Sequence, residues 1–243
     1  MRKADEVTVQ RLLYGNFEYD NSPNTMIPFD RIADLWSNTI NDRGVRYITA
    51  DIARYGKDKT VIMYWKGLTL KEAHVIDTGS LVLVADKIKE IAQEQKVPFS
   101  HIIVDEDGVG GGVVDMMPGI KGFMSNKRAL PIFNLGVMSP ANYMNLKTQM
   151  YYKLAEMINF HSIAIDDETI KDSLSEELAI LGRKDVDKEG KLKIETKEEQ
   201  KQLLGHSPDY MDAMMMRMYF EYKPQDNFAL AQAPVDMSSF RAD

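Results

Sequence analysis

VRYITADIA (45–53), TVIMYW (60–65) and LKEAHVI (70–76), followed after a helical stretch by HIIVD (101–105), decide how this chain folds. The first three runs are rich in β-branched and aromatic residues and are broken at Gly56 and Gly67, so they read as an antiparallel meander. Leu81, Val84, Ala85, Ile88, Ile91 and Ala92 then recur at helical spacing, and Pro98 stops that helix before the short, wholly apolar strand that ends at Asp105. From there the chain alternates. The glycine-rich EDGVGGGVVD (106–115) leads into a loop to Arg128, a short strand LPIFNL (130–135) and a helix over 142–159. An acidic helix over 167–181 carries the stripe Ile170, Leu174, Leu178 and Leu181. RKDVDKEGKLKIE (183–195) reads as a hairpin turning at Glu189–Gly190, and a last helix starts after His206-Ser207-Pro208. Its Met211, Met214, Met215 and Met218 have the spacing of a buried stripe.

The composition narrows what such a fold can do. The 243 residues are 44% hydrophobic and 28% charged, which suits one core with two extensions. Residues 1–40 read as a linker wrapped onto a domain at 41–223, and 224–243 as an irregular tail. No apolar stretch approaches the ~20 residues of a membrane-spanning helix, and residues 1–20 lack a secretory pattern. The expectation is a cytoplasmic protein with no membrane partner. Zero cysteines exclude disulfides and thiolate metal sites. A net charge of −7 argues against a protein that coats nucleic acid through its overall field, although it leaves room for a local groove.

Three acidic residues fall where a sheet-based site would form. Asp51 lies on the first strand, Asp105 ends the fourth, and Asp209 opens the last helix with Asp212 one turn on. If the first and fourth strands are neighbours and the last helix packs on their face, these carboxylates converge. A set of hard oxygen ligands without cysteine selects Mg²⁺ or Mn²⁺, and two such ions ~4 Å apart can hydrolyse a phosphodiester. Taken singly, each aspartate reads as a strand end or a helix cap. Asp58 reads as a turn residue, and Glu106 and Asp107 as alternatives should Asp105 point elsewhere.

Four stretches together resemble a known family: DIARYGKDKT (51–60), VDEDGVGGGVVD (104–115), YMNLKTQMYYKLAEMI (143–158) and HSPDYMDAM (206–214). In this order and spacing they are similar to the nuclease domain of phage terminase large subunits, and RLLYGNFEYD (11–20) resembles the segment that leaves the motor ATPase in those proteins. The resemblance implies a ribonuclease-H-like α/β fold, with a mixed central sheet of three antiparallel strands and then parallel ones, flanked by helices. It implies metal-ligating and catalytic roles for Asp51, Asp105 and Asp209. His206 occupies the place of a histidine that approaches the metal in some relatives, and Asp212 belongs to an Asp-Ala pair common in the family. Residues 1–40 would then be a linker from a motor domain, for no Gly-x-x-x-x-Gly-Lys-[Ser/Thr] loop occurs here.

The implied activity is cleavage of concatemeric double-stranded DNA with two Mg²⁺ or Mn²⁺ ions, in the cytoplasm of an infected bacterial host. The implied partners are the ATPase domain, the small terminase subunit and the portal. A junction resolvase or exonuclease of the same fold, or a weakly catalytic module docking on the portal or motor, would share much of this pattern. Candidate DNA contacts are the amides at Gly110 and Gly111, which also suit a tight strand-to-helix turn, and Lys184, Lys188, Lys191 and Lys193 of the hairpin. Lys147, Lys197 and Lys201 could extend that surface, although the sequence does not place them on one face.

Overall fold

A computed structural model of the chain describes residues 24–41, 44–53, 58–77, 79–134, 137–185 and 190–222. The segment RLLYGNFEYD, the turn at Gly56, Lys188 and the tail 224–243 lie outside the described residues.

A short helix α1 (Phe29–Asp34) precedes the meander of β1 (Arg46–Asp51), β2 (Thr60–Lys66) and β3 (Thr69–Ile76). Helix α2 (Leu81–Glu94) leads to β4 (Ile102–Asp105), helix α3 (Gly111–Met116) and β5 (Lys121–Phe123). A small hairpin of β6 (Ile132–Asn134) and β7 (Val137–Ser139) is followed by α4 (Leu146–Asn159), β8 (Ala164–Ile165) and α5 (Lys171–Ala179). The ribbon β9 (Arg183–Lys184) and β10 (Lys193–Ile194) then precedes α6 (Lys197–Leu204) and α7 (Asp209–Met216).

The central sheet has six strands in the order β5-β4-β1-β2-β3-β8. Pairing is antiparallel from β1 through β2 to β3, and parallel for β1 with β4, β4 with β5 and β3 with β8. The first and fourth strands are therefore neighbours, as convergence of Asp51 and Asp105 requires.

The period-2 alternation of β2 divides the core in two. Val61, Met63 and Trp65 pack with residues of α1, α4, α5 and α7 on one face. Ile62 and Tyr64 pack with α2 and α3 on the other. Trp65 Nε1 donates to Thr49 Oγ1 at 3.2 Å, so the buried indole keeps its polar atom satisfied. The methionine stripe of the last helix is fully buried, with Met211 and Met214 at 0% exposure. Residues near the start of the described chain join this core: Met26, Ile27, Ile32 and Leu35 are buried, and Met26 N donates to Leu181 O at 3.1 Å.

Several expectations are revised. LPIFNL does contain a strand, but it pairs only with β7 outside the central sheet. The outer parallel partner of β4 is β5, inside what reads as a loop, because it is only three residues long and contains Gly122. The Glu106 carboxylate packs over that glycine, where a Cβ would lie 1.8 Å from Oε2 and would displace the side chain. The helix expected over 142–159 starts at Leu146, since the Asn145 side chain caps it by accepting from Thr148 N. Residues 142–144 instead bond the ribbon, through Leu192 N to Asn142 O and Met144 N to Leu192 O, both at 3.0 Å. The acidic helix begins with a 3-10 turn at Glu168–Ile170, capped by Asp167, and α5 ends at Ala179. Helix α6 is additional, held by a capping box between Thr196 and Glu199. No helix among the described residues is long and apolar enough to cross a membrane.

Candidate functional site

The end of β1 places Asp51 beside the end of β4, and α7 crosses the same region. These three elements bring Asp51, Asp105 and Asp212 to the wall of one cavity of about 720 Å³. Asp51 is 4% exposed and Asp212 4% exposed, so neither carboxylate can rely on bulk water for solvation.

The charges on this wall settle against each other unevenly. Burial, then Asp212, Asp105 and Asp209, push the Asp51 carboxyl well above its ordinary range, against the pull of Lys197. Asp105 is raised by burial first and by Asp212 and Asp107, although its Oδ1 accepts the Asp107 amide at 3.1 Å. Burial alone would raise Asp212 too. Lys147 and Lys197, with hydrogen bonds from Lys147 and Tyr151, outweigh it and hold Asp212 low. Lys147 Nζ lies 2.7 Å from Asp212 Oδ1 and 2.9 Å from Oδ2, Lys197 Nζ lies 3.6 Å from Oδ2, and the Tyr151 hydroxyl donates to Oδ1. Burial opposes the Lys197 charge, but Asp212, Asp51, Asp105 and Asp209 together raise its affinity for a proton.

Asp209 stands on the other side of the first turn of α7. Its Oδ2 accepts the Lys59 amide at 2.7 Å, which points it toward the residues just before β2 rather than into the cavity wall. Burial raises its carboxyl to about 6; the Lys59 hydrogen bond opposes this, and Asp58 and Asp212 add to it. Asp58 itself pairs with Lys201 at 3.0 Å. His206 is not on the cavity wall among the described residues: its Nδ1 donates to the Ser207 carbonyl at 2.7 Å.

The two lysines at Asp212 were candidates only for an extended surface; the structure turns Lys147 inward, and Lys197 lines the cavity with 39% of its side chain exposed. Tyr151 and Glu177 also escape a reading of sequence alone. Tyr151 is one turn beyond Lys147 on α4, a spacing that puts both on one face. Glu177, on α5, is 0% exposed; its Oε2 accepts Met211 N at 2.7 Å and ties α7 in place. Its Oε1 is buried with no hydrogen-bond partner, and burial pushes the carboxyl up to about 9. A neutral acid meets that environment best.

Lys184 and Lys193 of the ribbon line the same cavity, with Lys184 also bound to Glu199 at 2.6 and 2.8 Å. Lys191 lines a neighbouring cavity instead. Gly110 is demanded by packing, since a Cβ there would meet the Asp105 carbonyl oxygen at 1.6 Å. Gly111 has room for one.

The donor chemistry fits a hard divalent cation. Asp51, Asp105 and Asp212 share a cavity wall with Lys147 and Lys197, and the raised carboxyls of Asp51 and Asp105 show acids crowded together, a setting that a divalent cation would relieve. Among the described residues no three such groups stand close enough to share one ion as they are arranged. The lysines on Asp212 supply the countercharge in this arrangement, and a side-chain rearrangement would be needed to admit a metal.

No model of a known protein family matches the chain, and no curated protein sequence does. Solved structures do. The nuclease domain of the large terminase subunit gp2 of bacterial virus Sf6 is similar at a TM-score of 0.69 and 22% identity, over 80% of this chain and 98% of that one. A variant of that domain with manganese and beta-thujaplicinol gives a TM-score of 0.69 and 21% identity over the same shares. The large terminase nuclease of thermophilic phage G20c is similar at a TM-score of 0.51 and 17% identity, over 82% of this chain and 100% of that one. With its six-stranded mixed sheet and flanking helices, the chain has the ribonuclease-H-like fold of these phage terminase nuclease domains.

Proposed function

We propose that the chain is a divalent-metal-dependent endonuclease that cuts double-stranded DNA, acting as the nuclease domain of a phage terminase large subunit. The observation that carries this reading is the set of carboxylates from three separate elements, buried Asp51 and Asp212 and half-buried Asp105, on one cavity wall where acidic side chains outnumber lysines. The fold shared with the Sf6 domain, solved with manganese in one variant, supports it.

In this reading Asp51, Asp105 and Asp212 hold Mg²⁺ or Mn²⁺, and Asp209 adds a carboxylate from the side of Asp58 and Lys59. A pair of such ions would neutralise charge on the phosphodiester and activate water for in-line attack. The chain's own residues prepare the place. Tyr151 and Lys147 orient Asp212, the Asp107 amide orients Asp105, and Glu177 fixes the first turn of α7 through the Met211 amide. Lys184, held by Glu199, and Lys193 line the same cavity and would offer ammonium groups to a DNA backbone. Residues 1–40 serve as the linker from a motor ATPase, 41–223 as the nuclease unit and 224–243 as a tail. The small terminase subunit and the portal complete the assembly, in the cytoplasm of the infected host.

Cleavage of supercoiled plasmid with Mg²⁺, Mn²⁺ or EDTA tests the reading. Metal-dependent nicking and linearisation, lost in Asp51→Asn and Asp105→Asn, is expected. Undiminished cutting by a folded Asp51→Asn protein would remove the mechanism.

A further inference from the structure

Next to the cleft lies a second cavity of about 520 Å³ whose charge is of the opposite kind. The two are contiguous, since Asn126 and Met144 line both. The cleft wall is crowded with acids, whereas the neighbouring cavity carries Arg128 and Lys191 and, among the described residues that line it, no carboxylate. In a chain of net charge −7, a recess whose described lining carries only cationic charges, adjoining one lined by many acids, is not what an evenly solvated surface would give.

This recess is built on fixed backbone. Lys191 sits between Gly190, whose carbonyl accepts from Asn142 Nδ2 at 3.0 Å, and Leu192, which bonds Asn142 and Met144 on both sides. Arg128 is bracketed as firmly. Lys127 O accepts Leu146 N at 2.7 Å before it, and the amide of Gln149 binds both Leu130 N and Leu130 O after it, at 2.7 and 2.8 Å. The arginine side chain itself is exposed and enters no ion pair among the described residues. An immobilised backbone presenting an unpaired guanidinium limits the entropy lost when that group binds an oxyanion.

We propose that the recess of Arg128, Lys191 and Asn142 is a backbone subsite for the DNA strand, gripping a phosphate that flanks the one being cut. The inference rests on the nuclease reading and extends it. The acid-rich cleft would take the scissile phosphate with its cations, and the recess of Arg128 would take a neighbouring phosphate directly, by a bidentate guanidinium contact. The strand would run from Asp105 past Asn126 and Met144 to Arg128. Such a contact carries no base specificity, and it favours a chain of nucleotides over an isolated diester.

The test uses the full chain with Arg128→Ala, Arg128→Glu and Arg128→Lys, and two probes, linear duplex DNA and bis(p-nitrophenyl) phosphate, with Mn²⁺. DNA binding is measured by fluorescence anisotropy across a salt series. Arg128→Glu should weaken DNA binding about 10-fold, lower the slope of log K against log salt by about 0.9 for the lost phosphate, and be partly rescued by Arg128→Lys. Its loss of rate on DNA at low substrate concentration should exceed its loss on the small diester by a similar factor. Unchanged DNA affinity and salt slope in folded Arg128→Glu would overturn the subsite. A wild-type chain inert on both probes, whose DNA binding still falls in Arg128→Glu, would sink the nuclease reading and leave the recess as a phosphate contact for bound DNA alone.

Discussion

Asp209 and Asp212 sit one turn apart on the same short helix and meet opposite surroundings. Asp212 faces α4 and α6, where Lys147, Lys197 and Tyr151 converge on its two oxygens and keep it ionised. Asp209 faces the residues before β2, where burial and the nearby Asp58 raise its carboxyl to about 6 against the hydrogen bond from the Lys59 amide. Identity and helical position are shared, so the difference belongs to tertiary neighbours. The sequence resemblance puts Asp209 with Asp51 and Asp105 and ranks Asp212 below it. The cavity wall ranks Asp212 with Asp51 and Asp105, and places Asp209 at the edge of the cluster.

The largest expected effect separates the two aspartates directly. Asp51→Asn and Asp212→Asn should each lower the rate of plasmid cleavage by at least about 100-fold, the scale on which removing a charge-stabilising group acts. Asp209→Asn should cost about 10-fold, as for a group supporting the ligands from outside. Equal losses at 209 and 212, measured in folded proteins under saturating Mn²⁺, would erase the ranking. Next in size is an effect on metal affinity. The Lys197 ammonium competes with any cation for Asp212 and Asp51, so Lys197→Met should tighten Mn²⁺ binding by about 10-fold, or roughly 1.4 kcal/mol. Isothermal titration calorimetry reads this without turnover. Weaker binding in the variant would show that the lysine assembles the cluster instead of competing within it.

A third prediction concerns the anchor behind the helix. Glu177 has its native carboxyl raised from 4.5 to about 9, so the folded chain holds a proton there that the unfolded chain releases. That contribution to stability is complete below pH 4.5 and is lost as pH rises toward 9. Glu177→Gln keeps an oxygen to accept the Met211 amide but has no proton to lose. Its thermal midpoint should fall less than that of the wild type between pH 6 and pH 9, with each 1 kcal/mol of spared stability worth about 2–4 °C. Parallel curves for the two proteins would mean that Glu177 is already ionised in the folded state.

The sheet was legible because its signals are local. Runs such as TVIMYW and HIIVD announce strands by composition, and once β1 and β4 are adjacent, Asp51 and Asp105 must approach each other. Short parallel strands were not legible, for β5 and β8 draw their pairing from neighbours and have only three and two residues. Helix α6 carried a readable sign in Thr196 and Glu199, a capping box that a search for start signals would find. The lysines were visible as charges and invisible as partners. Lys147 and Lys197 lie 50 residues apart by their numbers, and only the packing of α4 and α6 around α7 brings both to Asp212. Glu177 is harder still, since a glutamate on an acidic helix reads as solvated until burial shows otherwise.

The smallest expected effect tests the cause of the asymmetry itself. Asp58 is the first charged group that raises Asp209, and Lys201 partly neutralises Asp58 from 3.0 Å. Because this pair is exposed, breaking it should change stability by less than about 1 kcal/mol, so the folded site is preserved in both variants. Asp209 must lose its proton to attract a cation, so cleavage should fall as pH drops through about 6, and added metal should push that limb lower by competing with protons. Asp58→Asn removes a negative neighbour and should move the acid limb down. Lys201→Met leaves Asp58 unneutralised and should move it up. Opposite displacements from the two halves of one ion pair, in pH–rate profiles at fixed subsaturating Mn²⁺, would trace the behaviour of Asp209 to Asp58. A limb that stays in place in both would assign it to burial alone and leave Asp58 without a part in the site.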